Sequence, residues 1–151
     1  AMAMVEALGG APTPIAFGEL YTALQAGVVD GAENNPPSFY LTRHYEVCRY
    51  YSINEHSRIP DVLLMSTHSW DRLSDQQRLW VDEAVKESVD YQRQLWEQSE
   101  KEALDAVMAH GVTVSYPEKE AFEQSVKQLK ATYQQDPIIN ELLGEINKLN
   151  P

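Results

Sequence analysis

The chain contains a single cysteine, Cys48, among its 151 residues, so it can form neither an intrachain disulfide nor a cysteine-based zinc site. Its 12 Lys and Arg residues are outnumbered by 23 Asp and Glu residues, which gives a formal net charge of −11. Nucleic acids and anionic membrane surfaces are therefore excluded as partners, because both bind clustered positive charge. No apolar run approaches the roughly 18 residues that are needed to cross a bilayer.

The sequence also lacks the motifs of common catalytic sites. It has no G-x-S-x-G, no P-loop and no G-x-G-x-x-G, and its histidines have no metal-binding spacing. These histidines are His44, His56, His68 and His110. We therefore expect no metal, no cofactor and no enzymatic activity. One enzymatic alternative stays open, a carbohydrate-cleaving site using Asp30 and Glu33, which would require carboxylates about 5 to 10 Å apart across a cleft.

The order of apolar segments predicts an α/β fold with a mixed sheet. Strands are predicted at residues 15–17, 28–33, 50–56, 62–67 and 112–116. Helices are predicted at residues 18–25, 36–49, 75–110 and 118–135, with a last helix opening at Asp136-Pro137. A further helix at the start of the chain ends at Gly9-Gly10 and has no capping residue before it. We therefore expect this chain to begin inside a larger fold.

One helix is predicted to be unusually long. Ser74 and Gln77 form a capping-box pattern, and neither Gly nor Pro follows until Gly111. About 35 helical residues span roughly 50 Å, whereas a small domain is only about 30 Å across. The helix should therefore bridge to a second domain or lie against another subunit. A helical dimerisation module is a further alternative for the whole chain, although its apolar spacing is nearer to 3.6 than to a strict heptad.

The segment from Val29 to Tyr40 carries two adjacent asparagines between a predicted strand and a predicted helix. Open α/β sheets place ligands in the crevice at this position. Side-chain amides there can donate and accept hydrogen bonds without the desolvation cost of a charge. From composition alone, the structural reading is favoured, in which the asparagines cap a helix and shape a turn. A ligand-binding role for these asparagines therefore needs support from beyond the pattern itself.

The stretch GAPTPIAFGELYTALQAGVVDGAEN at residues 10–34 closely resembles the TRAP-transporter substrate-binding proteins of the DctP type. The resemblance continues through NPPSFY at residues 35–40, HYEV at 44–47 and Glu55-His56, and it extends to the Trp70-to-Leu73 turn and the long helix. The asparagine-proline segment is most similar to the branch associated with sugar acids such as uronates and diketogulonate. The resemblance therefore covers the whole chain and is most specific over its first 56 residues.

The resemblance implies a periplasmic receptor of two α/β lobes that captures a small organic acid, either a sugar acid or a C4-dicarboxylate, for delivery to membrane permease subunits. It implies that Asn34 contacts the ligand carboxylate and that Phe17 packs against the ligand. Asn35, Phe39 and His56 are expected at the rim of the site.

Several boundaries follow from the same resemblance. The chain is expected to be a C-terminal fragment, with the second lobe at about residues 10–67, the long helix at about 75–110, and a strand and helices at about 112–150. The signal peptide, the first lobe and the family's principal carboxylate-binding arginine would all lie outside this stretch. The fragment alone is therefore expected to hold an incomplete site, and to cover its exposed apolar strip as a homodimer or by segment swapping.

Overall fold

The computed structural model describes residues 2–149, most of which are helical or connect helices. The α-helices are α1 (Met2–Ala7), α2 (Leu20–Gln25), α3 (Pro36–Leu41), α4 (Thr67–Trp70), α5 (Asp75–Ala109), α6 (Lys119–Ser125), α7 (Lys127–Tyr133) and α8 (Pro137–Leu149). Short 3-10 helices lie at Phe17–Glu19 and His44–Glu46, and the strands are β1 (Tyr50–Ser52) and β2 (Thr113–Ser115). The described chain divides into two compact units, residues 2–29, 52–56 and 114–149, and residues 30–51 and 57–113.

The α/β class and the long helix α5 are confirmed. The helix begins where its capping signal predicts, because the Ser74 hydroxyl accepts from the Gln77 amide and the Gln77 side chain accepts from the Ser74 amide. It ends before Gly111, whose φ of 85° lies in the left-handed region that favours glycine. The capping hydrogen bonds at the first turn and the left-handed glycine after the last turn therefore set the helix length of 35 residues.

The sheet is smaller than predicted and consists, in the described part of the chain, of β1 paired with β2. The Thr113 amide donates to the Arg49 carbonyl, and the Ile53 amide donates to the Ser115 carbonyl. Partners therefore advance together along both segments, so the two strands run parallel. The strands predicted at 50–56 and 112–116 exist, although each is shortened to three residues.

Three predicted strands are wrong. Residues 15–17 run into a 3-10 helix after Pro12 and Pro14, which have no backbone N–H to donate to a sheet. The segment at 28–33 begins instead by closing α2, since the Val28 amide donates back to the Ala23 carbonyl. Residues 62–66 have no strand neighbour among residues 2–149, and Thr67 already belongs to α4.

Two predicted helices are interrupted. The helix predicted at 36–49 stops after Leu41, because Arg43 adopts a left-handed φ of 62° before the 3-10 turn at His44–Glu46. The Arg43 guanidinium bonds the Glu46 carboxylate on the far side of this break. The helix predicted at 118–135 is divided into α6 and α7 at Val126, whose ψ of 3° is not helical.

In the second unit, α3 packs against α5. The buried apolar side chains of this unit include Phe39 of α3, Ala103 and Val107 of α5, and Val112, each no more than 5% exposed. His44 of the same unit is also buried, at 3% exposure, and burial lowers the pKa of its imidazole. This cluster fixes α3, and with it the asparagine turn that precedes α3. In the first unit, α1 contacts α7.

Candidate functional site

The Asn34-Asn35 turn is held in place by a set of short-range hydrogen bonds. The Asn35 side chain accepts from the Ser38 amide at 2.8 Å and so caps α3, whose first residue is Pro36. The Asn34 Oδ1 accepts from the Asn35 amide at 2.9 Å. Asn35 therefore has the helix-capping role that its sequence position suggests, and its side chain is exposed.

Asn34 differs from Asn35 in its burial, and the N–H donors of its side-chain amide are available for a ligand. It is half-buried, and its oxygen is engaged locally, while its Nδ2 donors bond to no other described residue. Its backbone carbonyl accepts from the Tyr51 hydroxyl at 2.7 Å, which ties the turn to β1. The arrangement leaves a neutral amide donor at a fixed turn, a group that suits a carboxylate or a sugar hydroxyl.

Phe39 lies in the same unit as the asparagines but deeper. It is 5% exposed, and its ring stacks on Tyr51 with centroids 4.8 Å apart and planes 20° apart. Its visible contribution is packing, because it joins α3 to β1 behind the turn. Burial first and the Glu100 carboxylate second raise the pKa of Tyr51 to about 12.

Phe17 and His56 lie in the first unit. Phe17 begins the 3-10 helix and is 56% exposed. The His56 ring is half-buried, and its Nδ1 lies 2.6 Å from the Asn54 Oδ1. Glu55, next to it, has a left-handed φ of 49° and pairs with Lys119.

Reasoning from the sequence found the asparagines but missed Tyr51. The available signal was its place in the middle of a half-buried strand, where a tyrosine hydroxyl ordinarily needs a hydrogen-bond partner. Among the described residues, no group of three or more His, Cys, Asp or Glu side chains is arranged to hold a metal ion. None of the described helices is long and apolar enough to span a bilayer.

Residues 1–136 match the model of the family described as bacterial extracellular solute-binding protein, family 7, DctP. The chain belongs to this family. The resemblance seen in the sequence is thereby confirmed. Members similar to it include a solute-binding protein of Chromohalobacter salexigens, 36% identical over 95% of this chain and 43% of that protein. The sialic acid-binding periplasmic protein SiaP of Vibrio cholerae is 30% identical over 89% of this chain and 43% of SiaP.

Solved structures of TRAP periplasmic solute-binding proteins in the family have the same fold. One from Xanthobacter autotrophicus with bound β-D-galacturonate is 37% identical, with a TM-score of 0.88 over 96% of this chain and 49% of that one. One from Chromohalobacter salexigens with bound D-glucuronate is 35% identical, with a TM-score of 0.92 over 97% of this chain and 50% of that one. The chain thus spans less than half the length of the curated relatives above and about half of these solved chains.

Proposed function

We propose that this chain is the C-terminal portion of a TRAP-transporter receptor that captures a sugar acid of the uronate class in the periplasm and delivers it to membrane permease subunits. The observation that carries the proposal is Asn34, a half-buried amide with available donors in a turn held at its carbonyl, its side-chain oxygen and the helix cap that follows. Such a donor can bind one oxygen of a carboxylate without adding charge.

The family relationship supports a binding role in place of catalysis. The family is one of solute-binding proteins, and several relatives at 30% identity or more are named for binding a solute. The acidic-site enzyme based on Asp30 and Glu33 gains no support from these relatives. The helical dimerisation module does not account for the match over residues 1–136, most of which lie outside α5.

Uronate is favoured over C4-dicarboxylate by the range of similar proteins. Five structures with galacturonate or glucuronate bound are 35 to 40% identical over 92 to 97% of this chain. The C4-dicarboxylate-binding protein of Rhodobacter capsulatus is 33% identical over 74% of it. Within this proposal Asn34 contacts the carboxylate and Phe17 packs against the sugar ring. Asn35, Phe39 and His56 stay rim candidates.

Calorimetric titration with D-galacturonate and D-glucuronate tests the proposal in a receptor of the relatives' length that carries these residues. Replacing Asn34→Ala should weaken binding by about 1 to 3 kcal/mol, because a ligand oxygen then loses its buried donor. Asn34→Asp should weaken it further, since a carboxylate would face a carboxylate.

Asn140→Ala provides the matched control, because Asn140 is an exposed amide on α8 with no assigned role. It should leave the affinity unchanged. Equal affinity in the Asn34→Ala and Asn140→Ala proteins would remove Asn34 from the site and with it the main support for the proposal.

A further inference from the structure

Tyr51 connects three elements of the second unit around the asparagine turn. It is the central residue of β1, its ring stacks on Phe39 of α3, and its hydroxyl donates to the Asn34 carbonyl at 2.7 Å. The Glu100 carboxylate of α5 contributes, after burial, to raising the pKa of this hydroxyl to about 12. The hydroxyl therefore stays protonated, and able to donate, throughout the range in which the protein would function.

The bond from Tyr51 spans 17 residues of sequence and is the long-range restraint on Asn34. The other restraints are local. The Asn34 Oδ1 accepts from the next residue's amide, and Asn35 caps α3 through Ser38. With its carbonyl and its side-chain oxygen both engaged, the Asn34 side chain has few orientations left.

The stacking on Phe39 explains why the Tyr51 hydroxyl stays at this distance. Phe39 is 5% exposed and belongs to the packed cluster between α3 and α5. An aromatic ring stacked on a buried ring loses little further freedom, so its hydroxyl is a fixed donor. Tyr50, the preceding residue, is 81% exposed and offers no comparable restraint.

We propose that Tyr51 is a positioning residue of the binding site, whose hydroxyl holds the Asn34 backbone so that the Asn34 amide is already oriented for the ligand before the ligand arrives. This inference rests on the proposed function, which makes Asn34 a ligand contact. A group that is ordered in advance does not have to be ordered on binding, which increases affinity without a new contact. Tyr51 itself need not touch the ligand.

The test is a double-mutant cycle in the receptor of full family length, titrated with D-galacturonate. Tyr51→Phe keeps the stacked ring and removes only the donor. It should weaken binding about three- to tenfold, the loss expected for one hydrogen bond. In an Asn34→Ala background the same substitution should have no further effect, because the side chain that Tyr51 orients is absent.

Two other variants separate positioning from general stability. Tyr50→Phe, at the exposed neighbour, should leave the affinity unchanged. Replacing Tyr51 with 4-aminophenylalanine, which keeps a donor at the same ring position, should restore most of the affinity that Tyr51→Phe loses. An equal loss from Tyr51→Phe with and without Asn34 would overturn the proposal, because a merely structural effect would add to the loss of the amide.

A measurement on the unsubstituted receptor keeps the inference testable even if Tyr51→Phe does not fold. The Asn34 side-chain amide should be rigid in the ligand-free protein, and an NMR order parameter below about 0.6 there would overturn the proposal. Unchanged affinity in Asn34→Ala alone would overturn the proposed function. A loss in Asn34→Ala with none in Tyr51→Phe would overturn this inference alone.

Discussion

Val107 is the most deeply buried large side chain of the described residues, at 1% exposure on α5. It lies in the C-terminal part of α5, the helix that packs against α3. Val107→Ala removes two methyl groups from the buried core of the second unit without changing charge or hydrogen bonding. The perturbation therefore measures how strongly the α3–α5 packing, which fixes the asparagine turn, stabilises the second unit.

The magnitude follows from the removed groups and the space that they leave. Two buried methyl groups at about 0.8 kcal/mol each give about 1.6 kcal/mol of lost transfer free energy. A cavity that closes only partly adds about 1 kcal/mol. Alanine recovers about 0.5 kcal/mol through its higher helix propensity. The free energy of unfolding should therefore fall by about 2 kcal/mol.

Urea denaturation of the 151-residue chain, followed by tryptophan fluorescence, measures this change. All three tryptophans, Trp70, Trp80 and Trp96, belong to the second unit. Val89→Ala on the same helix is the matched control, because Val89 is 38% exposed and gains the same propensity. Its loss should be below about 0.5 kcal/mol. Equal losses at the two valines would refute the assignment of the α3–α5 contact as the core of this unit.

Three other outcomes are expected. Burial lowers the pKa of His44, so the stability contributed by its neutral imidazole is complete above pH 6.5 and is lost as the pH falls below that value. In urea unfolding, His44→Gln should therefore lower the free energy of unfolding less at pH 5.5 than at pH 7.5, and equal losses at the two pH values would contradict this. The isolated chain should self-associate through exposed apolar residues of α5 such as Trp80 and Tyr91, as a homodimer or by segment swapping, whereas a concentration-independent monomer in sedimentation would count against it. The isolated chain should also bind galacturonate far more weakly than the full-length receptor, because the resemblance places the carboxylate-binding arginine outside it; micromolar binding by the chain itself would show that our placement of the site is wrong.

The helices could be predicted because their signals are local. The Ser74 cap, Gly111, and Asp136 ahead of Pro137 each satisfy or end a helix within a few residues, and all three act in the structure as predicted. The two interruptions could not be predicted in the same way. Arg43 and Val126 are ordinary residues in helical sequences, and nothing in their composition marks the backbone conformations that they adopt.

In the candidate site too, the features set by neighbouring residues could be predicted, and those set by distant residues could not. The Asn34-Asn35 motif was visible because its residues are adjacent and precede Pro36, a strong helix start. The strand position of Tyr51 indicated that its hydroxyl needs a partner, but the partner itself could not be predicted, because the bond to the Asn34 carbonyl joins residues 17 apart and depends on how β1 lies against α3. A tyrosine in a strand has many equivalent partners until the tertiary structure selects one.

The strand predicted at residues 62–67 is absent, and the reason for this applies to strand prediction in general. Its sequence, Val62-Leu63-Leu64-Met65, has the apolar character of a buried strand, yet Val62, Leu63 and Leu64 are 71 to 82% exposed. Backbone groups of residues 57–65 make no hydrogen bond to another backbone group within the described chain. Strand propensity describes how well side chains fit a pleated, half-buried surface, and it takes effect only when a neighbouring strand supplies the ladder. The prediction therefore identified a segment suited to pairing, and it failed because a pairing partner is a property of the fold and not of the segment.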